Sequence, residues 1–538
     1  MWAKNIMHMF GGVEPSCMKK FVVSPSYDLV NNVVRNKITY ELPDNTVIEN
    51  QEVCSVSGAI IRRSTTGFPQ TEMEGTSIAV IKASDGYSGT VNDSDVVVGT
   101  TYYYSAFPYS TNGVYNRSVN KSNRSSVKTA KYAYLFGYDL TVATTSPTGR
   151  VAYPSDVDNA AYTAAKMNTS TGVFNYGSWP STPGEKFMPK PCMIKYTGKA
   201  ADYYLDPDDY SKKEDGVTAS DYANTSYAGN AMIEWPKIYT HRELVDGVYK
   251  FRCSDQKLDD DWDCWSNYDA NDNEIDHFYT PIYFGSNVLS RLRSISGQGN
   301  FVSNTRQTEV SYARQNGEGW DTEFLSDRLL IQDLLVLMCK TTEIQTAIGT
   351  GRCASGNTSA IGQGTMNTKG MFWGNQNQSD GVKVFGMENW WGNLWRNLRG
   401  WINANGTQKV KLTAGVHDGS TAADYNFDGT GYLTVSGATP AGSSGGYISG
   451  MSVQSYGRIP YQASGSSSTN EGDGLWFNNS QVDYAFVGGD WNDGLLDGPF
   501  SADLAIFLRM RTLALARLFL INHLRPRRGT ENLRFAMI

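Results

Sequence analysis

The sequence predicts a multidomain, β-rich protein: an antiparallel β-sandwich, then a loop-rich central region, then a C-terminal α+β domain. Three observations carry that expectation. Charged residues make up only 19% of the 538-residue chain, which holds 53 Gly and 32 Tyr; this balance favours a turn-rich extracellular or virion protein over a helical cytosolic enzyme. Short β-branched or aromatic runs separated by polar turns recur between residues 37 and 126. Trp, Asn and Gly concentrate in VFGMENWWGNLWRNLRGW (384–401) and again in VGGDWNDGLLDG (487–498). Indole rings supply large buried area, Gly lets the backbone pass close by, and Asn amides satisfy backbone groups that no ladder reaches. That is the composition of a loop-rich core.

Taken in order, residues 1–36 form an N-terminal segment, and the runs at 53–62, 77–82, 95–98 and 100–109 give the sandwich over 37–126. The stretch 122–131, rich in Ser, Lys and Asn, reads as a hinge. Residues 132–234 show little periodicity but many Tyr, Asn, Asp and Pro, as in FNYGSW (174–179) and ADYYLDPDDY (201–210). Aromatics at that density suit ordered loops on short strands, not disorder. The third unit, 235–538, carries a helix over 321–346, with Phe324, Leu329, Leu330, Leu334, Leu337 and Met338 at helical spacing, expected to pack on a small sheet. Gly, Ser, Thr and Asn then fill 349–374 and 434–474, loops of a length that compact domains seldom carry unless the loops work. After Leu504 the chain changes character. The tail 505–538 is rich in Leu and Arg (Arg509, Arg511, Arg517, Arg525, Arg527, Arg528, Arg534) against one acid, Glu531. Two accounts stand: a shifted reading frame, or an amphipathic helix over 501–524.

A net charge of −7 argues against nucleic acid or anionic membrane as the main partner. The start lacks the apolar stretch of a signal peptide, and the best apolar run, 329–339, is too short to span a bilayer and is broken by Gln332 and Asp333. A soluble chain with no membrane insertion is expected, leaving the cell by lysis or assembly. The cysteines (17, 54, 192, 253, 264, 339, 353) form no CxxC pair. Buried thiols are expected, with Cys253–Cys264 the one pair open to oxidation. His8, His241, His277, His417 and His523 lack metal-ligand spacing. Asp424, Asn426, Asp428 and Gly429 spell half of a calcium loop, but Val435 stands where the closing Glu belongs, so a polar turn is expected. The Asp- and Asn-rich stretch 255–276 reads as solvated side chains over buried Trp262 and Trp265. The GxSxG match at 442–446 lacks the strand and helix of a nucleophile elbow. No metal, cofactor or catalytic residue is assigned.

Within 384–401, Gly386, Met387, Glu388, Gly392, Asn393 and Trp395 match in order the Gly-Met-Glu-x-x-x-Gly-Asn-x-Trp segment of the formylglycine-generating-enzyme type of C-type lectin fold, which the run resembles. GTTYYYSAFP (99–108) resembles the late strand of a fibronectin type III domain, where a Tyr anchors the corner between strands. Together with KPCMIKYTGKAADYYLDPDDYSKKEDG (190–216), YAGNAMIEWPKIY (227–239), RLRSISGQ (291–298), NGEGW (316–320), GGYISGM (445–451) and LWFNN to GGDWNDG (475–494), the chain resembles bacteriophage tail-fibre or receptor-binding proteins over 37–503. In several such relatives the lectin-like domain is the variable protein of a diversity-generating retroelement. The resemblance implies a binding face at Asp490, Trp491, Asn492, Asp493, Leu495, Leu496, Asp497, Pro499 and Phe500, to which the aromatic and polar pattern adds Trp476 and Asn478. It also implies a homo-oligomer in the virion, with other tail proteins and a host-surface glycan or protein receptor as partners. Copper-dependent oxidases on the same scaffold need paired thiolates late in the domain. The last cysteine here, Cys353, precedes the signature run, so that chemistry is not expected. A glycan depolymerase with dispersed carboxylates, and a structural tail or baseplate part, stay open as alternatives.

Overall fold

Alternating apolar and polar residues build two antiparallel sheets around one core in the first part of the chain. The computed structural model describes residues 13–28, 33–129, 134–183, 187–198, 200–269, 271–413, 431–438, 444–505 and 516–519. Strands hold 40% of the described residues and helices 9%, which makes the protein β-rich, with many small sheets. It divides into two compact units: Met1–Tyr134 with Gln256–Asp261, and Leu135–Asp255 with Trp262–Ile538.

In the first unit one sheet has the order Lys20–Asp28, Val33–Glu41, Ser88–Asp93, and the other Thr76–Lys82, Val56–Ser64, Thr101–Ser110, Arg124–Lys128. Phe21, Val23 and Ile38 from the first sheet meet Ala59, Ile61 and Tyr104 from the second in one core. A buried polar bridge joins the sheets: Arg63 Nη1 donates to Asp93 Oδ2 at 2.8 Å, and the Tyr104 hydroxyl donates to the same oxygen at 2.7 Å. The expected boundary at residue 37 is corrected. Lys20–Asp28 pairs along its whole length with Val33–Glu41, so part of the segment 1–36 belongs to this unit and the boundary cuts a strand. Pro25 hid it, because Pro within a run argues against any strand but an edge one, and this is an edge strand.

The second unit carries two seven-stranded sheets and a four-stranded one. The first large sheet runs Asp209–Lys213, Tyr203–Asp206, Lys190–Lys195, Gly229–Pro236, His277–Pro281, Ala516–Phe519, Trp320–Thr322. The second runs Leu433–Thr434, Thr407–Val410, Arg396–Ala404, Val482–Val487, Ala502–Leu504, Gly474–Phe477, Ser444–Tyr447. The small sheet joins Val151–Ala152, Phe136–Thr141, Val248–Ser254 and Tyr239–Val245. The boundary expected at 235 therefore falls inside a strand, and residues 132–234 are no separate domain. Two of their strands, Phe136–Thr141 and Gly229–Pro236, pair with Val248–Ser254 and His277–Pro281 from beyond 235; the second was hidden because AMIEW is a run buried on both faces and so lacks alternation.

The helix is Leu325–Cys339, shorter than the 321–346 expected, because Trp320–Thr322 is a strand and Lys340 ends the helix in a left-handed conformation. All fifteen of its residues are buried, so it has no polar face to show a clean period. It packs against Arg396–Ala404 and Gly457–Gln462. Its central acid, Asp333, is satisfied by the small sheet: Arg242 Nε donates at 2.8 Å, and the Tyr138 and Tyr249 hydroxyls at 2.7 and 3.1 Å. A second helix, Arg306–Arg314, was not foreseen; Thr305 caps it, its hydroxyl accepting from the Thr308 N–H at 3.3 Å. Of the amphipathic helix considered for 501–524, Ala502–Leu504 and Ala516–Phe519 are strands instead, and 506–515 and 520–524 lie outside the described residues. All seven cysteines are free thiols, six of them buried, and Cys253 and Cys264 are not joined. Among the described residues no helix is long and apolar enough to cross a membrane.

Candidate binding face

The run that stood out in the sequence is the floor of the candidate site. From Gly381 to Asn403 every residue is buried, although regular pairing covers only part of that span. Its polar side chains serve the backbone of neighbouring loops. Glu388 accepts from the N–H groups of Gly364 and Met366, each at 2.8 Å. Asn393 takes a left-handed conformation and exchanges hydrogen bonds with Ile361, its Oδ1 accepting from the Ile361 N–H at 2.8 Å. The Trp391 indole N–H donates to the Gly349 carbonyl at 3.1 Å. Trp390, Trp391, Trp395 and Trp401 are all core residues.

On this floor sits the segment 488–501, held from beneath at several points. Arg328 Nη2 and Gln332 Nε2, both from the buried helix, donate to the Pro499 carbonyl at 2.9 and 2.8 Å. Gln345 Nε2 donates to the Leu495 carbonyl at 3.0 Å and to Asp473 Oδ1 at 2.8 Å. Asn357 Nδ2 donates to the Trp491 carbonyl at 2.8 Å, and the Gly494 N–H to the Cys353 carbonyl at 2.7 Å. Asp473 Oδ2 accepts from the Phe500 N–H at 2.7 Å. None of Gln345, Asn357 and Asp473 stood out in the sequence, since lone polar residues in loops carry no spacing signal.

Above these anchors the loop is open. Asn492 and Leu495 are exposed, and Asp490, Trp491, Asp493 and Leu496 are half-buried. Trp491 packs beside Ala360 against Phe284 and Leu394. Trp476 is half-buried, on a strand that adjoins the turn Gly494–Leu496, and meets Trp395 edge to face at 5.7 Å. Three expected contact residues are corrected. Asp497 and Phe500 are 0% and 3% exposed, and Pro499 is buried, because this end of the segment turns inward to meet the helix. Asn478 lies beyond the far end of the Trp476 strand; its Oδ1 accepts from the Ser480 N–H at 3.0 Å, so its amide serves a local turn.

Acid groups crowd the loop. Burial pushes the Asp493 carboxyl up to about 6, with repulsion from Asp490 adding to it and the Trp395 indole opposing. Burial likewise raises Asp490 and carries Asp503 up to about 6 and Asp483 up to about 7. Asp497 is driven well above the carboxylate range by burial and by Asp493 and Asp490, and neither of its oxygens has a well-formed hydrogen bond. Among the described residues no group of three or more His, Cys, Asp or Glu converges as metal ligands would. The half calcium loop at 424–429 and Gly442 of the GxSxG match lie outside the described residues. In 255–276, Trp262 is buried and Trp265 half-buried, whereas Asp269 is buried, not solvated, and caps its own turn by accepting from Asn271 and Asn273 N–H groups at 2.8 and 2.9 Å. Compared with known proteins, the chain matches no family model and no curated protein.

Two outcomes follow from this geometry. Gly489 has φ +87°, and a Cβ there would lie 1.8 Å from Asp497 Oδ1, whereas Gly494, at φ +71°, has nothing within 4 Å. Gly489→Ala is expected to cost about 2–5 kcal/mol, combining a left-handed backbone penalty with overpacking, and Gly494→Ala only about 1–2 kcal/mol; denaturant melts of the two variants check this. Carboxyls raised in the folded state bind protons more tightly there than in the unfolded chain, so the stability they contribute is complete below about pH 4 and is lost as pH rises through 6 to 7. The lowered carboxyls, such as Asp321, act only toward lower pH. The melting temperature is therefore expected to fall between pH 5.5 and pH 8, less steeply in Asp493→Asn, as read by circular dichroism.

Proposed function

We propose that the chain is a receptor-binding protein of a bacteriophage tail fibre, attaching the virion to a glycan or protein on a bacterial surface. In this reading the first unit is a fibronectin type III-like spacer. Its two facing antiparallel sheets support that, as does the corner contact in which the Tyr102 hydroxyl accepts from the Val97 N–H at 2.8 Å. The second unit is a C-type lectin-like domain of the formylglycine-generating-enzyme type. The observation that carries the proposal is the division within 488–501: backbone anchored to a buried helix and a Trp-rich floor, with the Asn492 and Leu495 side chains exposed and those of Asp490, Trp491, Asp493 and Leu496 half-buried. A preformed surface of half-buried Trp with Asp and Asn beside it recognises without paying for loop ordering on contact. Other tail proteins and further copies of this chain are its partners, and several copies raise weak single contacts to useful attachment. Diversification by a retroelement would fall on 490–496 and spare the anchors.

A second reading, a glycan depolymerase, is favoured by one observation: Asp490 and Asp493 repel each other beside Trp395, and Asp493 is pushed up to about 6, near the value a general acid uses. A third, a structural tail part, would leave the open loop without a task.

The test is binding of the labelled full chain to a panel of diverse bacterial isolates and their purified envelopes. Attachment to some isolates, weakened at least about tenfold in an Asn492→Ala, Leu495→Ala double variant that melts like the parent, is the expected result. Released oligosaccharide that disappears in Asp493→Asn would establish the depolymerase instead. No attachment to any isolate would leave the structural reading.

A further inference from the structure

Away from the 490–496 loop, a cavity of about 130 Å³ lies between the strand Phe136–Thr141 and the hairpin Gly450–Gln454, Gly457–Gln462. That is roughly ten times the room a single water needs. Its walls combine two guanidiniums and one carboxylate, Arg150, Arg458 and Glu471, with apolar Val142, Met451 and Val453. Arg150, Arg458 and Glu471 are 4%, 3% and 1% exposed.

Their pairing is incomplete. Arg458 Nη1 donates to Glu471 Oε1 at 2.7 Å, and Arg150 reaches the same oxygen only at 3.4 Å. Arg150 Nε, Arg458 Nε and Arg458 Nη2 have no acceptor, although all are buried. The imbalance extends inward. Arg458 lies over the rings of Tyr249 and Phe500. Behind it, Arg242 is taken up by Asp333. Three buried guanidiniums thus face two buried carboxylates, Asp333 and Glu471. Asp473, the next carboxylate along the chain, is bonded by Gln345 Nε2 at 2.8 Å and the Phe500 N–H at 2.7 Å and forms an ion pair with none of these three guanidiniums. One positive charge is left in excess, and a buried charge without a partner is costly. A guanidinium presents N–H groups in a planar fork that a carboxylate matches with two oxygens.

We propose that this cavity binds a small monocarboxylate, its carboxylate on Arg150 and Arg458 and its carbon body against Val142, Met451 and Val453. The site does not depend on the receptor reading and shares no lining residue with the 490–496 loop. Short-chain fatty acids and acidic sugars both carry this chemistry, and the partly exposed Tyr461 at the same cavity suits the C–H face of a sugar ring.

The test is calorimetric titration and thermal melting of the full chain with sodium butyrate, sodium glucuronate, sodium chloride and glucose at matched ionic strength. Saturable binding of butyrate or glucuronate, with no matching effect of chloride or glucose, is expected, and the tighter of the two identifies the source. Arg150→Gln and Met451→Trp should each weaken it at least about tenfold. Met451 is half-buried on the wall and belongs to no ion pair, so its variant keeps the test informative if Arg150→Gln fails to fold. Absence of saturable binding, an equal response to chloride or glucose, or unchanged binding in folded Met451→Trp overturns the proposal.

Discussion

The second unit depends on side chains doing what a ladder does elsewhere. The loop at 349–366 dips in and out of the interior, with Gly349–Gly351, Cys353, Gln363 and Met366 buried, and each buried N–H or C=O left unpaired costs about 1–3 kcal/mol. Glu388 and Asn393 meet that demand by bonding directly to Gly364, Met366 and Ile361 backbone, and Trp391 caps Gly349. Arg396 returns to the carbonyl of Glu388 at 3.1 Å, so the run also fixes its own turn. A charged or amide side chain is a less forgiving connector than a strand, since it serves one or two named groups and cannot slip. That explains how a stretch with so little regular pairing is buried without interruption from Gly381 to Asn403.

The same floor sets the character of the loop above it. Gly392 donates to the Gly488 carbonyl at 2.8 Å, so the loop begins on the signature run itself. It ends on the helix, through Pro499, and the Arg328 guanidinium that holds Pro499 stacks over Trp390 at 4.3 Å. Anchors at both ends and at Trp491 and Leu495 act on backbone carbonyls, which every residue type supplies. The exposed side chains between them, Asn492 and Leu495, are therefore free to differ without loss of the loop's path. Under the proposed receptor-binding function, a surface built in this way suits recognition that changes from one copy of a gene to the next.

What the sequence disclosed and what it concealed divide along the same physical line. The sandwich strands were legible where alternation was clean, as in Val56–Ser64, and illegible at Lys20–Asp28, where Pro25 interrupts and only Phe21 and Val23 commit to the core. The core role of the clustered indoles was legible because large aromatics at that density must bury one another. The true extent of the second unit was not, since Gly229–Pro236 is buried on both faces and carries no period. For the site, the face between Asp490 and Leu496 was expected from the resemblance, but the inward turn that hides Asp497 and Phe500 comes from Arg328, Gln332 and Asp473, more than twenty residues away in sequence. Local pattern holds no trace of such partners.

The tail tests how far a fold needs its sequence. Beyond Leu504 the composition changes abruptly, yet Ala516–Phe519 lies between His277–Pro281 and Trp320–Thr322, pairing antiparallel with both. Without it the edges of those two strands would face each other unpaired in the same sheet, beside the start of the buried helix. Strand pairing is made by main-chain groups that any non-proline residue brings, and ARLF supplies four of them. A chain whose register or reading frame has shifted can therefore still close a sheet, provided the closing position asks for backbone and not for particular side chains. The anchors of the 490–496 loop at Trp491, Leu495 and Pro499 are supplied by Asn357, Gln345 and Arg328, all before Leu504, so a change confined to the residues after Leu504 leaves them in place.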